Sequence, residues 1–226
     1  MDRTKAFAIA SRTGWLSGIP AGDRNDILSR TELLHFKAEE AIYNTGDEPG
    51  GLFGSVTGSI KIWLLTPNGE HGLVHIGGPG LWVGDAASVT GRSRRLTISA
   101  ASDCNVLRLP RARLLGLAEE KPGIWRHIAQ LASMNMLLAI DVVDALRRED
   151  PVQRVAATLL NLTVHSPPGL IAISVTQSDL GAVARLSRSS VNRALTELTK
   201  KGWVRLSYAT VEVVDKESLS VFVRGK

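Results

Sequence analysis

The chain has 226 residues, of which 44% are hydrophobic, and a formal net charge of +5 at pH 7. A chain of this size buries a substantial core and forms one large or two modest domains. Its only cysteine, Cys104, excludes an intrachain disulfide, a zinc knuckle and a four-thiolate iron–sulfur site within one chain. No run of about 18 apolar residues occurs, and residues 1–12 lack the apolar core of a signal peptide. We therefore expect a cytoplasmic protein without a membrane partner.

The positive charge is concentrated in the C-terminal third of the chain. Residues 151–226 contain ten Lys or Arg and five Asp or Glu, whereas residues 1–150 contain seventeen of each. A basic segment beside a neutral remainder favours a polyanion, such as double-stranded DNA, as the partner of that segment. A solvated basic surface is the alternative interpretation of the same excess.

The N-terminal half predicts a small helical segment followed by a β-rich domain. Residues 15–34 predict a turn and a short helix with four buried residues: Ile27, Leu28, Leu33 and Leu34. From Phe36 to Leu109, short β-branched and aromatic runs alternate with closely spaced glycines, a pattern typical of a small barrel or roll. Asn68-Gly69 lies between two apolar runs and predicts a hairpin, because both positions tolerate positive φ.

Helical periodicity returns over residues 111–118 and then from Ile124 to about Arg148. Two apolar seams follow the long helix. One seam is predicted to form a homodimer interface through Ile128, Leu131, Leu138 and Val142. The other seam, which includes Met136 and Val143, is then expected to pack on the β domain. The alternative to a dimer is that the whole helix is buried within a monomer.

Pro151 ends this helix, because proline restricts the residue before it and lacks an N–H donor. A helix over 152–164, a loop over 165–169 and a short strand are expected to follow. Near the C-terminus, residues 204–214 predict two short strands joined by an unusual glycine-free turn at 208–210.

The stretch from Thr176 to Leu198 predicts two short amphipathic helices separated by a polar break at 185–187. Thr176 and Ser187 stand where hydroxyl groups cap the opening turns of the two helices. Arg188, Asn192 and Arg193 fall on the face opposite the apolar stripe. This is the layout of a helix-turn-helix, whose second helix enters the major groove, although a helical hairpin with a solvated basic face fits the same pattern.

Taken together, these features resemble the bacterial Crp/Fnr family of transcription regulators over about residues 15–219. The residues that match the turns and strand anchors of the family's jelly roll are Gly46-Asp47, Leu52, Phe53, Gly58, Gly78-Pro79-Gly80 and Gly84. The residues that match its recognition motif are Thr176-Gln177, Leu180, Ser187-Arg188, Val191, Arg193-Ala194-Leu195 and Leu198.

The resemblance implies an α+β protein with three parts. These are an N-terminal β-roll, or jelly-roll, sensor domain over 1–122, a dimerisation helix and hinge over 123–150, and a winged helix-turn-helix over 151–226. It further implies a homodimer that binds a pseudo-palindromic promoter site and contacts RNA polymerase, without enzymatic activity.

The resemblance also assigns roles to the residues of the C-terminal domain. Arg188, Ser189 and Arg193 are the implied base-edge readers, flanked by Ser187 and Asn192. Thr176 and Gln177 are placed near phosphates, and we add Lys200 and Lys201 as sequence-independent phosphate contacts. Many family members carry Glu where Ser189 stands, so we expect a different half-site. Arg185 occupies a turn position that is usually Gly, and a left-handed backbone there costs about 1 kcal/mol.

In cyclic-nucleotide sensors of this type, a Gly-Glu pair precedes an Arg-Ser pair by ten or eleven residues. The corresponding residues here are Gly84, Asp85, Arg94 and Arg95. An arginine suits a phosphate and Asp85 suits a ribose hydroxyl, while a solvated turn is the alternative for both arginines. The polar pair that holds the base on the long helix is replaced by Ala139-Ile140, which offers no side-chain donor. An effector other than cyclic AMP is therefore favoured, with cyclic AMP or no ligand left open.

Two further hypotheses belong to other classes. Glu70, His71 and His75 lie near a hairpin in a roll that superficially resembles the metal-binding cupins, which would make the chain a metal-dependent enzyme with an appended basic domain. The usual His-x-His spacing is absent, and we assign no catalytic or metal-ligating residue. A nucleotide sensor whose helical tail binds protein is the third hypothesis. Cys104 is expected to be a buried apolar residue.

Overall fold

The computed structural model describes residues 1–66, 68–165, 171–207 and 209–225. Two predicted features fall partly outside this range. Residues 166–169 of the predicted loop and Tyr208 of the predicted wing turn lie outside the described residues.

Three helices precede the sheets: α1 (Arg3–Ala10), α2 (Gly14–Ser17) and α3 (Ala21–Ser29). The predicted short helix corresponds to α3, on which Ile27 and Leu28 are buried. The placement of Leu33 and Leu34 on this helix was wrong, because both lie in strand β1 (Glu32–Phe36). A short apolar run does not by itself separate helix from strand, and pairing with a distant strand decides the outcome here.

The predicted roll is confirmed. The remaining strands of the roll in the described part of the chain are β2 (Ala41–Tyr43), β3 (Gly51–Thr57), β4 (Ile60–Leu65), β5 (His71–Gly77), β6 (Trp82–Val83), β7 (Leu96–Ala100) and β8 (Cys104–Pro110). They form two antiparallel sheets in the orders β1-β8-β3-β6 and β2-β7-β4-β5. A buried core lies between the sheets, with Phe53 and Val106 from one and Tyr43 and Ile98 from the other.

The hairpin predicted from Asn68-Gly69 joins β4 to β5. The two strands pair from Ile60 opposite Gly77 to Leu65 opposite His71. Gly69 has a φ of +79°, a conformation that glycine adopts without a steric penalty. A short helix, α4 (Asp85–Thr90), follows β6.

Two helices lead away from the roll: α5 (Arg111–Glu120) and α6 (Ile124–Arg147). The buried face of α6 packs against the protein's own core through Ile124, His127, Ile128, Leu131, Leu138 and Ala145. By length and composition alone α6 is also able to cross a membrane. Charged Arg126 and Asp141 bound its most apolar stretch, so its pattern equally fits an amphipathic helix with one face on a core.

The C-terminal region is a winged helix-turn-helix, as predicted. Its elements are α7 (Pro151–Leu162), β9 (Ile171–Ser174), α8 (Gln177–Ala184), α9 (Arg188–Lys200), β10 (Val204–Ser207), β11 (Thr210–Val213) and α10 (Lys216–Arg224). Pro151 occupies the first turn of α7, where Asp150 accepts hydrogen bonds from the amides of Val152 and Gln153. Helices α1 and α10 were not predicted from the sequence, and α10 packs on α7 through the buried Leu219.

Candidate nucleic-acid interface

The two helices of the helix-turn-helix begin where the predicted caps place them. The hydroxyl of Thr176 accepts a hydrogen bond from the amide of Asp179 at 3.0 Å. The hydroxyl of Ser187 accepts from the amide of Ser190 at 3.2 Å. Each cap satisfies an amide that has no partner within its own helix, and so defines the first turn of α8 and of α9.

The turn between α8 and α9 has a left-handed backbone at Arg185. Arg185 has φ +52° and ψ +48°. In this conformation the amide of Leu186 donates to the carbonyl of Gly181 at 2.9 Å. A Cβ atom on Gly181 would stand 2.9 Å from the carbonyl oxygen of Leu186, so glycine allows the close approach of turn and helix. This role of Gly181 was not predicted, although a glycine inside an amphipathic helix is a signal of such an approach.

Helix α9 presents a polar, basic face to solvent. Its opposite face is buried through Val191, Ala194, Leu195 and Leu198. The outward residues predicted for DNA contact are all exposed and belong to the first two turns: Arg188, Ser189, Asn192 and Arg193. The hydroxyl of Ser187 lies 2.9 Å from that of Ser189, which keeps this end of the helix polar. The first two turns therefore offer donors and acceptors of the kind that read base edges.

A groove of about 540 Å³ separates the start of α8 from the wing formed by β10 and β11. Thr176 and Gln177 line one side of the groove, and Ser207 and Thr210 line the other, with Arg188 at its border. The free amides at the start of a helix attract anions, so this groove has the chemistry expected of a phosphate contact. Thr176, Gln177 and Arg188 thus line one groove, and their assignment to DNA contact stays a prediction.

The two lysines after α9 differ in their surroundings. Lys200 is exposed. The ammonium of Lys201 lies 3.2 Å from Glu197 and over the rings of Trp203 and Phe222, at 4.8 and 4.6 Å from their centroids. An ammonium held between a carboxylate and two aromatic faces stabilises the domain, which weakens the prediction of Lys201 as a phosphate contact.

Three of the four residues assigned to the dimer interface face the protein's own interior. Ile128 and Leu131 are each 1% exposed and Leu138 is 7% exposed. Val142 is half-buried against the same core as Leu138. The assignment of this seam to a dimer was therefore wrong, because the roll and the N-terminal helices already fill it.

The apolar face of α6 that remains exposed is a different one. We call it the α6 stripe, and it comprises Met136, Leu137, Ile140 and Val143. These side chains are between 54% and 58% exposed. The sequence alone did not show which of the two seams the roll would cover, and it placed neither Leu137 nor Ile140 on a seam.

The candidate effector site lies where β6 leads into α4. Gly84 has φ +94° and precedes Asp85, the first residue of α4. The guanidinium of Arg94 is buried and donates to the carbonyls of Gly51 at 2.8 Å and Gly84 at 3.4 Å. It also lies 4.1 Å from the ring centroid of Tyr43. The interpretation of Arg94 as part of a solvated turn was therefore wrong.

Burial lowers the pKa of Arg94 from its ordinary value, with Tyr43 acting in the opposite direction. Burial has the opposite effect on the phenol of Tyr43, whose pKa it raises. Arg95, by contrast, is exposed and does not join this cluster. Of the two arginines proposed for a phosphate, only Arg94 belongs to the interior of the roll.

Asp85 also has an intramolecular partner. The amide of Asn135 on α6 donates to the Asp85 carboxylate at 2.8 Å and to the carbonyl of Trp82 at 3.1 Å. Ala139 and Ile140, at the positions that would hold a base, are exposed and carry no side-chain donor. Arg94 and Asp85 are thus already bonded within the chain, and the two base positions offer no side-chain donor.

The residues of the metal-enzyme hypothesis do not form a cluster. Glu70 and His71 are exposed near the hairpin, whereas His75 is buried further along β5. Among the described residues, no group of three His, Cys, Asp or Glu side chains is placed to hold a metal ion. Cys104 is buried, and burial raises the pKa of its thiol to about 11, so the thiol is unreactive at neutral pH.

Comparison with known proteins defines the class of this architecture. Residues 33–121 match the model of the cyclic nucleotide-binding domain, and residues 153–222 match that of the Crp-like helix-turn-helix domain. The chain thus combines a roll of the cyclic nucleotide-binding type with a Crp-like helix-turn-helix domain. It belongs to the Crp/Fnr family of transcription regulators.

Individual relatives agree with this assignment. The chain is 22% identical to the CRP-like cAMP-activated global transcriptional regulator of Mycobacterium tuberculosis, over 94% of this chain and 97% of that protein. It is 29% identical to the cyclic AMP receptor protein of Thermus thermophilus, over 81% of this chain and 84% of that protein. Its fold is similar to that of FixK2 from Bradyrhizobium japonicum, with a TM-score of 0.73, 22% identity, and coverage of 84% and 96% of the two chains.

Proposed function

We propose that this regulator binds a pseudo-palindromic promoter site as a homodimer and reads it with the first two turns of α9. The observation that carries the proposal is the two-sided character of α9. One face is anchored in the core by buried apolar residues, while Arg188 and Arg193 stand in solvent on the other. A helix held in this way presents its side chains to the major groove at a defined angle.

The chemistry of the exposed residues determines what they read. An arginine can donate two hydrogen bonds to O6 and N7 of guanine, which discriminates against other bases by about 1 to 3 kcal/mol. Ser189 is too short to read the amino group of cytosine as a glutamate does. The half-site is therefore expected to contain a guanine opposite Arg188 or Arg193 and to differ from that of relatives with Glu at position 189.

The second copy of the chain is proposed to cover the α6 stripe. Four neighbouring apolar side chains, each more than half exposed, lie on one side of α6. Contiguous apolar surface of this kind marks an interaction site. Two-fold packing of α6 against α6 would place two winged domains on one face of the dimer, as two half-sites of a palindrome require.

The alternative hypotheses are less well supported. The relative from Mycobacterium tuberculosis, of nearly the same length, is a transcriptional regulator, which does not favour a metal-dependent enzyme. We further propose a cytoplasmic location and contact with RNA polymerase, in keeping with a promoter-bound regulator. We keep the division into 1–122, 123–150 and 151–226 as proposed domains, with the hinge at Arg148–Pro151.

Selection of bound sequences from random duplex DNA tests this proposal. The expected product is an inverted repeat with half-site centres about one helical turn, 34 to 36 Å, apart. A matched selection with Arg188→Ala controls for the reading residue and should recover a repeat with relaxed preference at one base pair of each half-site. Recovery of no common motif by the wild-type protein would overturn sequence-specific binding.

A further inference from the structure

The roll and the winged domain share an apolar core where β5 meets α7 and α8. Leu73 and Ile76 on β5 are 6% and 2% exposed. They belong to the same buried cluster as Leu159 on α7 and Leu180 on α8. We call this contact the β5 joint. Because it is apolar, separating the two domains exposes Leu73 and Ile76 to water.

Two ion pairs of Lys61 lie beside the β5 joint. The ammonium of Lys61 on β4 lies 3.3 Å from the carboxylate of Asp179 on α8 and 3.1 Å from that of Glu39. Burial lowers the pKa of Lys61, but the two carboxylates outweigh this effect and raise it above its ordinary 10.5. Lys61 therefore stays charged at neutral pH and ties the first turn of α8 to the roll.

His75 stands inside the joint, on the same strand as Leu73 and Ile76. It is 4% exposed, and its Nδ1 atom has no hydrogen-bond partner among the described residues. Its side chain borders a cavity of about 10 Å³, room for one water molecule, lined by Val142 and Leu146 of α6, Asn161 and Thr158 of α7, and Val183 of α8. The imidazole thus borders a cavity that it shares with residues of α6, α7 and α8.

Among the described residues around His75, no acidic side chain serves as its counter-charge. The titratable group that acts on it is His165, itself 7% exposed, just after α7. Residues of α6, α7 and α8 at the cavity are apolar or carry a neutral hydroxyl or amide. On the neighbouring strand, Lys61 is positive, and its partners Asp179 and Glu39 bind it instead. A proton on His75 would therefore be a buried charge without a carboxylate to stabilise it.

We propose that the β5 joint is proton-sensitive, and that acidification releases the winged domain from the roll through protonation of His75. Release would let the two winged domains of the dimer change their orientation relative to each other, and would weaken binding to a two-fold symmetric DNA site. That last consequence rests on the proposed function, whereas release of the domain does not.

The direction of the effect follows from proton linkage. In the docked state, burial and, to a smaller extent, His165 lower the pKa of His75 from 6.5 to about 3. In a separated state the exposed imidazole returns to about 6.5. The docked state binds fewer protons than the separated state. The contribution of His75 to docking is therefore fully present above about pH 6.5 and is lost as the pH falls toward 3. Between pH 7.5 and 5.5, one histidine shifts the equilibrium about tenfold.

Burial also lowers the pKa of His165. Protonation of His165 therefore also disfavours docking, and its effect adds to that of His75. The tenfold figure is accordingly the expected change from His75 alone.

Amide hydrogen exchange on the full-length protein tests the proposal without DNA. Wild type, His75→Gln and His71→Gln are compared in the same buffers at pH 7.5 and 5.5, so that intrinsic exchange rates cancel. His71 is an exposed histidine on the same strand and serves as the matched control. Between the two pH values, we expect wild type and His71→Gln to lose about tenfold more protection in β5 and α8 than His75→Gln.

Equal loss of protection in wild type and His75→Gln, or no loss in either, would overturn the proposal. A ring titration of wild-type His75 by NMR keeps the test valid should the glutamine variant fold poorly. The ring is expected to titrate only together with the loss of α8 protection. Titration near pH 6.5 with α8 still protected would also overturn the proposal, while leaving the proposed DNA-binding function untouched.

Discussion

The side-chain amide of Asn135 on α6 donates a 2.8 Å hydrogen bond to the carboxylate of Asp85 at the start of α4. Through this bond the helix that carries the exposed stripe is joined to the segment corresponding to the family's ligand cassette. Asn135 also donates to the carbonyl of Trp82. One side chain therefore holds two elements of the roll against α6.

Asn135→Ala is expected to destabilise the protein by about 1 to 3 kcal/mol, because it leaves a half-buried carboxylate and a carbonyl without their donor. Urea unfolding at one fixed protein concentration measures the loss. Asn25→Ala, at an exposed position on α3, is the matched control and should change stability by less than about 0.5 kcal/mol. Equal effects of the two substitutions would contradict a coupling role for Asn135.

The left-handed residue Arg185 provides a second prediction. Arg185→Gly should stabilise the winged domain by up to about 1 kcal/mol, because glycine adopts φ +52° without steric strain. Arg185→Ala removes the same side chain but keeps the strain, and is the control. Thermal unfolding should show a higher Tm for the glycine variant alone; a rise in both variants would mean that the side chain, not the backbone, is the unfavourable element.

The α6 stripe predicts the oligomeric state. Ile140→Lys places a charge in the middle of the exposed apolar side chains, and should convert a dimer to monomers at micromolar concentration. Ala112→Lys adds the same charge at an exposed position of α5, and should leave the dimer intact. Sedimentation equilibrium distinguishes the two states. A dimeric Ile140→Lys variant would show that the second copy binds elsewhere.

The two lysines after α9 should differ in their effects. Lys200→Ala should weaken binding to all DNA sequences about equally, and reduce the slope of log affinity against log salt by about 2, because each subunit loses one phosphate contact. Lys201→Ala should leave that slope unchanged and lower stability, because its ammonium lies against Glu197, Trp203 and Phe222. Fluorescence anisotropy over a range of salt concentrations measures the slope. Equal slopes for Lys200→Ala and wild type would remove Lys200 from the interface.

Much of the fold was predictable because its signals are local. The caps at Thr176 and Ser187, the proline at 151 and the Asn68-Gly69 hairpin each act within a few residues. The sequence left the backbone conformation of Arg185 open, although relatives usually carry glycine there, and the structure shows it to be left-handed.

The errors concern choices that only distant contacts decide. Leu33 and Leu34 became a strand because β8 lies beside them, at Leu107 and Val106. The two seams of α6 look alike in sequence, and the roll covers the one that had been assigned to the dimer. The partner of Asp85, Asn135, lies 50 residues away, so no spacing rule brings the two together.

The most direct test of the account measures wild type and Arg188→Ala on two duplexes, the selected inverted repeat and a scrambled sequence of the same composition, at one salt concentration. Wild type should bind the repeat at least about a thousandfold more tightly than the scrambled duplex. Because each half-site loses one contact, Arg188→Ala should bind the repeat about 30-fold or more weakly, and should lose far less on the scrambled duplex. Equal wild-type affinity for the two duplexes, or undiminished binding of the repeat by Arg188→Ala, would contradict the account.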